Sequence, residues 1–221
     1  MTERETPSVD GLVIGILGGT GDQGRGLARR FALAGHQVII GSRSSERAAA
    51  AQEIGHGVQG LANADAARGA GVIIAAVPWE GHGDLLSALA GELAGKIVVD
   101  CVNPLGFDQR GAYALPVAEG SAAQQAAALL PGSRVVAAFH HVSAVLLLDP
   151  EVDTIDLDVL VLGDDREATD LVQALAARIP GVRGIYAGRL RNCGQIEALT
   201  ANLVSINRRY KAHAGLRVTD I

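Results

Sequence analysis

Three glycines near the start of the chain have the spacing of a phosphate-binding turn. Gly19, Gly21 and Gly24 match the pattern G-x-G-x-x-G. One glycine of this pattern permits a tight turn, another lets a pyrophosphate approach the backbone, and the third lets a helix pack closely on a strand. Because the chain contains 28 glycines, the pattern alone does not exclude an ordinary glycine turn. The segments on either side of the glycines decide between a phosphate-binding turn and an ordinary one.

That context is a strand, a turn, a helix and a second strand. Residues 12–17 form an apolar run without polar alternation, which is typical of a parallel strand buried on both faces. Residues 27–34 show helical apolar spacing, and residues 37–40 form a second apolar run. Amides at the helix start, together with the helix dipole, attract phosphate. The sequence therefore predicts a dinucleotide cradle whose binding residues are Gly18, Gly19, Thr20, Gly21, Asp22, Gln23 and Gly24.

The end of the second strand indicates which nucleotide is bound. Folds that bind NAD place a carboxylate there, about 20 residues after the glycines, to accept from the ribose 2′-hydroxyl. This chain has Ser42 and Arg43 at that point, and Arg47 follows one turn further along a predicted helix. A hydroxyl and two guanidiniums suit a 2′-phosphate, which a carboxylate would repel. We predict NADP(H), with a solvated basic turn as the alternative.

Further candidates for site residues follow three later apolar strands. The carboxyl ends of these strands should lie at the same edge of the sheet as the glycine turn. No lysine falls at these strand ends, and the chain has no H-E-x-x-H, C-x-x-C or G-x-S-x-G pattern. An alcohol dehydrogenase needs a proton relay, which His140 or His141 could supply; either could equally be a structural histidine bound by backbone groups. The candidates are Pro78, Trp79, Glu80 and His82; Asn103 and Pro104; and His140, His141, Val142, Ser143 and Ala144.

Strands and helices alternate along the chain, which predicts an α/β fold with a doubly wound, mostly parallel sheet of the Rossmann type. Residues 1–10 are polar and are predicted to be a flexible tail. Residues 11–150 should form the nucleotide-binding domain. Residues 151–221 should form a smaller C-terminal α/β segment that ends in a long helix from residue 190 to about 214.

Composition excludes several classes of protein. No apolar run approaches the roughly 18 residues that span a bilayer, and the polar N-terminus is unlike a signal peptide. A net charge of −5 argues against nucleic acid as a partner, and Arg208, Arg209 and Lys211 fit a solvated helix face. The two cysteines lack metal-ligand spacing, so we predict buried thiols in a cytoplasmic protein and no metal.

Several segments, taken together, point to one family. They are residues 17–24, Gly41-Ser42-Arg43, Val77-Pro78-Trp79-Glu80, the loop with His140, Gly163-Asp164-Asp165, and residues 187–190 leading to residues 197–200. In this combination, over nearly its whole length, the chain resembles the NADPH-dependent reductases of the deazaflavin coenzyme F420, the F420:NADP+ oxidoreductases. Pro-Trp-Glu and Gly-Asp-Asp are the more specific pieces.

This resemblance implies direct hydride transfer between NADP(H) and coenzyme F420, whose two rings stack in one apolar pocket of a homodimeric enzyme. The cofactors carry the chemistry, so no catalytic side chain or metal is required. The protein holds the rings together and excludes water. The implied contacts are Thr20, Ser42, Arg43 and Arg47 at the 2′-phosphate, Val77 and Pro78 at nicotinamide, and His140, Val142 and Ala144 at the deazaflavin, with Trp79, Asn103, Pro104 and Ala138 as further cofactor-binding candidates.

Two alternatives remain at the level of sequence. An imine reductase resembling pyrroline-5-carboxylate reductase would share the cradle and the helical C-terminus but would reduce a small substrate. A regulatory module that senses NADP(H) would bind the nucleotide without turnover.

Overall fold

The computed structural model of the protein describes residues 7–44 and 50–221. The strands are β1 (Val13–Leu17), β2 (Gln37–Ser42), β3 (Val58–Ala62), β4 (Val72–Ala75), β5 (Ile97–Asp100), β6 (Leu105–Asp108), β7 (Gly111–Ala114), β8 (Arg134–Ala137), β9 (Leu157–Gly163) and β10 (Val182–Gly188). The α-helices are α1 (Asp22–Leu33), α2 (Asn63–Gly69), α3 (His82–Ala88), α4 (Ala90–Leu93), α5 (Ala122–Leu129), α6 (Ala144–Leu148), α7 (Arg166–Ala176) and α8 (Cys193–Tyr210). Short 3₁₀ helices cover Ala50–Ile54, Trp79–Gly81 and Leu190–Asn192.

Eight of the strands form one sheet in the order β10-β9-β8-β5-β4-β1-β2-β3. From β3 to β8 the neighbouring strands are parallel, which is the strand order of dinucleotide-binding sheets. Strand β9 pairs antiparallel with β8, and β10 pairs parallel with β9. The predicted α/β fold with a mostly parallel sheet is confirmed. The edge at which the six parallel strands end is called the carboxyl edge below.

Helices cover both faces of the sheet, which explains why the central strands show no alternation. Every residue of β4 and β5 is buried. One face packs against α1 and α7 through residues such as Leu27, Phe31 and Val172. The other packs against α3 to α5 through Leu86, Leu93 and other apolar side chains.

The structure adds two elements that the sequence analysis did not predict. Strands β6 and β7 form a separate hairpin directly after Pro104, with the ring of Tyr113 over Gly106. Helix α6 has only five residues, too few to show a helical period.

The last helix ends at Tyr210 rather than near residue 214, because Lys211 adopts a left-handed backbone with φ of 51°.

Both ends of the described chain pack against the sheet. Val9, in the predicted tail, is buried in the core, and residues 1–6 lie outside the described residues. At the other end, the buried carboxylate of Asp158 on β9 accepts hydrogen bonds from Arg183, Arg217 and the amide of Val218. The C-terminal segment, residues 211–221, is thereby attached to the sheet.

Two further observations concern the described residues. None of their helices has the length and apolar character needed to cross a bilayer. Cys101 and Cys193 are both buried and free, as predicted.

Candidate active site

The glycine turn connects β1 to α1 and is closely packed on one side only. Gly18 has a left-handed backbone, with φ of 65°, and a Cβ there would lie 2.1 Å from Cγ1 of Val77. A Cβ on Gly24 would lie 2.5 Å from Cα of Gly19, so this glycine lets α1 pack on the turn. At Gly21, the N-cap of α1, a Cβ would meet nothing within 4 Å. The free amides of α1 are therefore open to a phosphate.

A cavity beside the glycine turn has a volume of about 270 Å³. The glycine turn contributes Gly19 and Thr20, and β2 contributes Ile40. Ser42 is buried, its hydroxyl accepts from the amide of Ser44 at 3.1 Å, and Arg43 is exposed. Arg47 lies outside the described residues.

Sequence reasoning missed two charged residues that line this cavity. Arg25 is one helical turn after Gly21, whose carbonyl accepts from the Arg25 amide at 2.9 Å. That four-residue spacing from the N-cap was the available signal. Glu53, in the 3₁₀ helix after β2, also lines the cavity. The charge of the Glu53 carboxylate is opposite in sign to that of the Arg25 guanidinium, and both side chains line the same cavity.

The loop after β4 brings Val77, Pro78 and Trp79 beside the glycine turn. Val77 is half-buried and contacts Gly18 closely, whereas Pro78 is exposed. The ring of Trp79 lies over His82, with centroids 5.5 Å apart and planes tilted by 32°.

His82, predicted as a candidate site residue, has a structural role. It is fully buried, with Nε2 at 2.5 Å from Asp100 Oδ2 and Nδ1 at 3.0 Å from Gln125 Oε1. Burial lowers the pKa of His82, but the hydrogen bond and charge of Asp100 outweigh it, so the net shift is upward. A histidine with both nitrogens engaged is not available as a proton relay.

The loop after β8 is fixed by a strained residue and a side chain from α1. Phe139 has φ of 63°, which is rare for a bulky residue, and its buried ring packs edge-on against Phe31 at 6.0 Å. Nε2 of Gln23 donates to the carbonyl oxygen of Phe139 at 3.2 Å. Gln23, predicted as a cofactor contact, therefore connects the glycine turn to this loop through its side-chain amide.

A second set of hydrogen bonds joins the loops after β5 and β8 to α8. Asn103 Nδ2 donates to the carbonyl oxygen of His140 at 2.8 Å. The hydroxyl of Thr200 lies 3.3 Å from the same oxygen and 3.4 Å from Asn103 Oδ1. Pro104 and Ala138 are buried next to these residues in the chain. The structure thus brings the predicted residues after β5 and β8 together at the carboxyl edge, beside the glycine turn that Gln23 connects to the same loop.

The adjacent histidines of this loop differ in their partners. His141 accepts a hydrogen bond at Nε2 from the amide of Leu160 at 3.4 Å, and burial, with the neighbouring His140, lowers its pKa to about 4. It is the structural histidine that the sequence analysis offered as an alternative. His140 is also buried, but neither ring nitrogen makes a hydrogen bond of good geometry with the described residues. Burial lowers the pKa of His140, with Asp100 and the backbone of Cys101 opposing, so its ring is neutral.

Val142 and Ala144 occupy different depths. Val142 is 5% exposed and belongs to the core, whereas Ala144 is half-buried at the start of α6. Helix α6 packs so closely on α1 that a Cβ on Gly26 would lie 2.6 Å from Cβ of Leu147. The buried guanidinium of Arg30 donates to four carbonyl oxygens, those of Leu146, Leu147, Asp149 and Val152.

The residues of this cleft fit a dinucleotide beside a second planar cofactor. Gly21 leaves the amides of α1 open to a pyrophosphate, and the 270 Å³ cavity extends from the turn to Ile40 of β2 and to the 3₁₀ helix that follows β2. The buried ring nitrogens of His140 can pair with a polar edge of a ring. Half-buried Val77 and Ala144 offer small apolar walls.

Comparisons with known proteins agree with this geometry. Residues 13–104 match the family described as NADP oxidoreductase coenzyme F420-dependent. A protein of Methanothermobacter marburgensis named F420-dependent NADP reductase is 41% identical over 223 residues, which cover 95% of this chain and 99% of that protein. A crystal structure of a protein from Arthrobacter sp. FB24 has 28% identity and a TM-score of 0.81, covering 95% of this chain and 100% of the other.

A likeness to pyrroline carboxylate reductase of Plasmodium falciparum concerns the fold alone. The identity is 12% and the TM-score 0.63, with 92% of this chain and 67% of the other covered. The similarity to the Methanothermobacter protein extends over nearly the full length of both chains. The chain therefore belongs to the family of coenzyme F420-dependent NADP oxidoreductases.

Proposed function

We propose that this chain moves a hydride between NADP(H) and coenzyme F420 by direct transfer between two rings held face to face at the carboxyl edge. The observation that carries this proposal is the joining of the glycine turn to the loop after β8. Gln23, from the nucleotide-binding helix, is bonded to Phe139, directly before His140. The places suited to the two cofactors are therefore fixed relative to each other, as a short transfer distance requires.

The nucleotide is bound through its phosphates. The open amides beside Gly21 receive the pyrophosphate, and Asp22 and the other turn residues shape its approach. Ser42, Arg43 and Arg47 bind the 2′-phosphate, and Arg25, which lines the cavity beside the glycine turn, adds a fourth polar group.

The two rings meet between the loops after β4 and β8. Val77, Pro78 and Trp79 border nicotinamide, while Asn103, Pro104 and Ala138 support the opposite side. His140, Val142 and Ala144 line the deazaflavin side. The nicotinamide and deazaflavin supply the hydride chemistry, and the neutral, buried His140 orients a polar ring edge by hydrogen bonding. No side chain has to act as a nucleophile.

Residues 151–221, predicted as a smaller C-terminal α/β part of the chain, complete the deazaflavin side and provide a contact between two subunits. Asn202, Ile206 and Tyr210 form an exposed stripe on α8, with Ile206 40% and Tyr210 73% exposed. We place the homodimer contact on this stripe, and sedimentation of the Tyr210→Ser variant as a monomer would support it. Two free, buried cysteines suit the cytoplasm as the compartment.

The function is tested by mixing the protein anaerobically with NADPH and oxidised F420 and following the visible absorbance of the deazaflavin. Loss of that absorbance at a rate proportional to enzyme is the expected result. Reduction of cyclic imines without reduction of F420 would instead indicate an imine reductase. Tight NADPH binding without oxidation by any acceptor would indicate a sensing module.

A further inference from the structure

A second groove lies between the β6–β7 hairpin and α8, outside the nucleotide cradle. Its volume is about 550 Å³. Phe107 and Ala112 of the hairpin and Val204 of α8 give it an apolar lining, and Phe107 is 69% exposed. Arg110, Arg208 and Arg209 also line the groove.

Both walls of this groove begin at the active-site cleft. Asn103, which binds the His140 carbonyl, lies two residues before the start of β6. Thr200 contacts the same carbonyl from α8, and Val204 and Arg208 follow at intervals of four residues on one helix face. Eight residues of α-helix span about 12 Å. Arg208 therefore lies about 12 Å along the helix from Thr200, whose hydroxyl contacts the His140 carbonyl.

The charge of the groove is opposite to that of the chain. None of its three arginines makes an ion pair within residues 7–44 and 50–221. Asp108 is the acidic residue that lines the groove. Oδ1 of Asp108 accepts hydrogen bonds from the backbone amides of Arg110 and Gly111, at 2.7 and 3.1 Å. Three guanidiniums against one carboxylate leave an excess of positive charge, whereas the whole chain has a net charge of −5.

We propose that this groove binds the anionic side chain of the deazaflavin cofactor, with Arg110, Arg208 and Arg209 contacting its phosphate and carboxylate groups. The proposal rests on the proposed function and extends it from the ring to the chain attached to the ring. Guanidinium groups are well suited to both kinds of anion. Val204 and Arg208 each lie two residues from Ile206 and therefore face away from the exposed stripe on α8, whereas Arg209 lies at the border of that stripe.

The test compares two acceptors in steady-state assays at fixed NADPH. One is intact F420, and the other is the same ring with its polyol chain but without the phosphate and glutamate groups. In the Arg208→Gln/Arg209→Gln variant, we expect the KM for intact F420 to rise about tenfold, as loss of charge-assisted contacts implies. The KM values for the shortened acceptor and for NADPH should stay unchanged. Added salt should weaken the preference of the unmodified protein for intact F420.

Arg166→Gln serves as the control that is matched to the single variant Arg110→Gln, because Arg166 is exposed on α7 and its loss also removes one positive charge. Arg110→Gln should act in the same direction as the double variant. An unchanged KM for intact F420, or an equal rise for both acceptors, would overturn the proposal. A change of sedimentation together with an equal loss for both acceptors would assign the groove to a second copy of the chain. If the unmodified protein reduces neither acceptor, the proposed function itself fails.

Discussion

Two adjacent histidines at the end of β8 behave differently because their neighbours differ. The Leu160 amide donates to His141, whereas neither ring nitrogen of His140 makes a hydrogen bond of good geometry with the described residues. Burial keeps both rings neutral at ordinary pH. A neutral ring costs less to bury than an imidazolium, so the site can remain dry around His140.

We predict that the choice of nucleotide depends on Arg43. Arg43→Glu replaces an exposed cation near the 2′-phosphate position with an anion, and should raise the KM for NADPH at least about tenfold while changing that for NADH little. Steady-state kinetics with both nucleotides measures this, with Arg68→Glu as a control because Arg68 lies on α2 and pairs with Asp65. Equal changes for the two nucleotides would remove Arg43 from the 2′-phosphate site.

The size of Ala144 should limit the approach of the rings. Ala144→Phe adds a bulky side chain at a half-buried position at the start of α6. We expect hydride transfer to slow about a hundredfold while NADPH binds normally, because small displacements of reacting atoms have large effects on rate. Single-turnover absorbance gives the rate and fluorescence titration gives the affinity. A normal single-turnover rate would place the deazaflavin elsewhere.

At the scale of elements, the loops of the cleft are positioned by side chains from other elements. Gln23 of α1 holds the loop after β8, and Thr200 of α8 lies against the same loop from the other side. Arg30 of α1 satisfies carbonyl groups at the C-terminal end of α6 and beyond it. Helix α1 thereby holds both the loop after β8 and the segment from Leu146 to Val152.

Removing Arg30 should therefore affect both stability and turnover. Arg30→Met keeps an apolar stem but leaves four carbonyl groups without their donor, which should cost about 3 kcal/mol of unfolding free energy. Hydride transfer should slow because α6 is no longer held on α1. Urea unfolding and single-turnover kinetics measure the two effects. Arg30→Lys, which retains the charge, should be intermediate; a fully stable Arg30→Met variant would contradict this role.

The parts that could be predicted from sequence are those with a local signal. Buried parallel strands appear as apolar runs, so β1, β2, β4, β5 and β8 are evident, and the glycine spacing identifies the cradle. The hairpin β6–β7 and helix α6 lack such a signal because they are short and depend on contacts with α8 and α1. The roles of Arg30, Thr200 and Gln23 could not be inferred because each bonds to residues more than 50 positions away.

At the scale of the whole molecule, the last residues of the chain attach to β9 and β10, the two strands of the sheet that run opposite to the other six. Asp158 is fully buried on β9, and its carboxylate pairs with Arg183 and Arg217 at 2.7 and 2.9 Å. Arg183, on β10, is the main cause that lowers the pKa of this carboxyl, opposed by burial and aided by the Val218 amide and Arg217. One carboxylate thus joins β9, β10 and the C-terminal segment.

This network predicts a pH dependence of stability. Since the pKa of Asp158 is lower in the folded chain than in the unfolded chain, its stabilisation is present above about pH 4 and is lost as the pH falls further. Asp158→Asn should lower the thermal midpoint by about 5 °C at neutral pH. Melting curves from about pH 3 to 7 should show a smaller acid-induced decrease in the variant. An undiminished decrease would mean that other carboxylates cause it.

The left-handed backbone at Phe139 should make turnover dependent on how well the interior is packed. An isolated chain would avoid this conformation, so it becomes favourable only when the ring is enclosed against Phe31. A modest loosening of that aromatic contact, as in Phe31→Leu, should let the peptide relax and release His140 before the sheet melts. On gradual heating of this variant, inactivation should precede loss of circular dichroism by several degrees, whereas the two should coincide more closely in the parent protein.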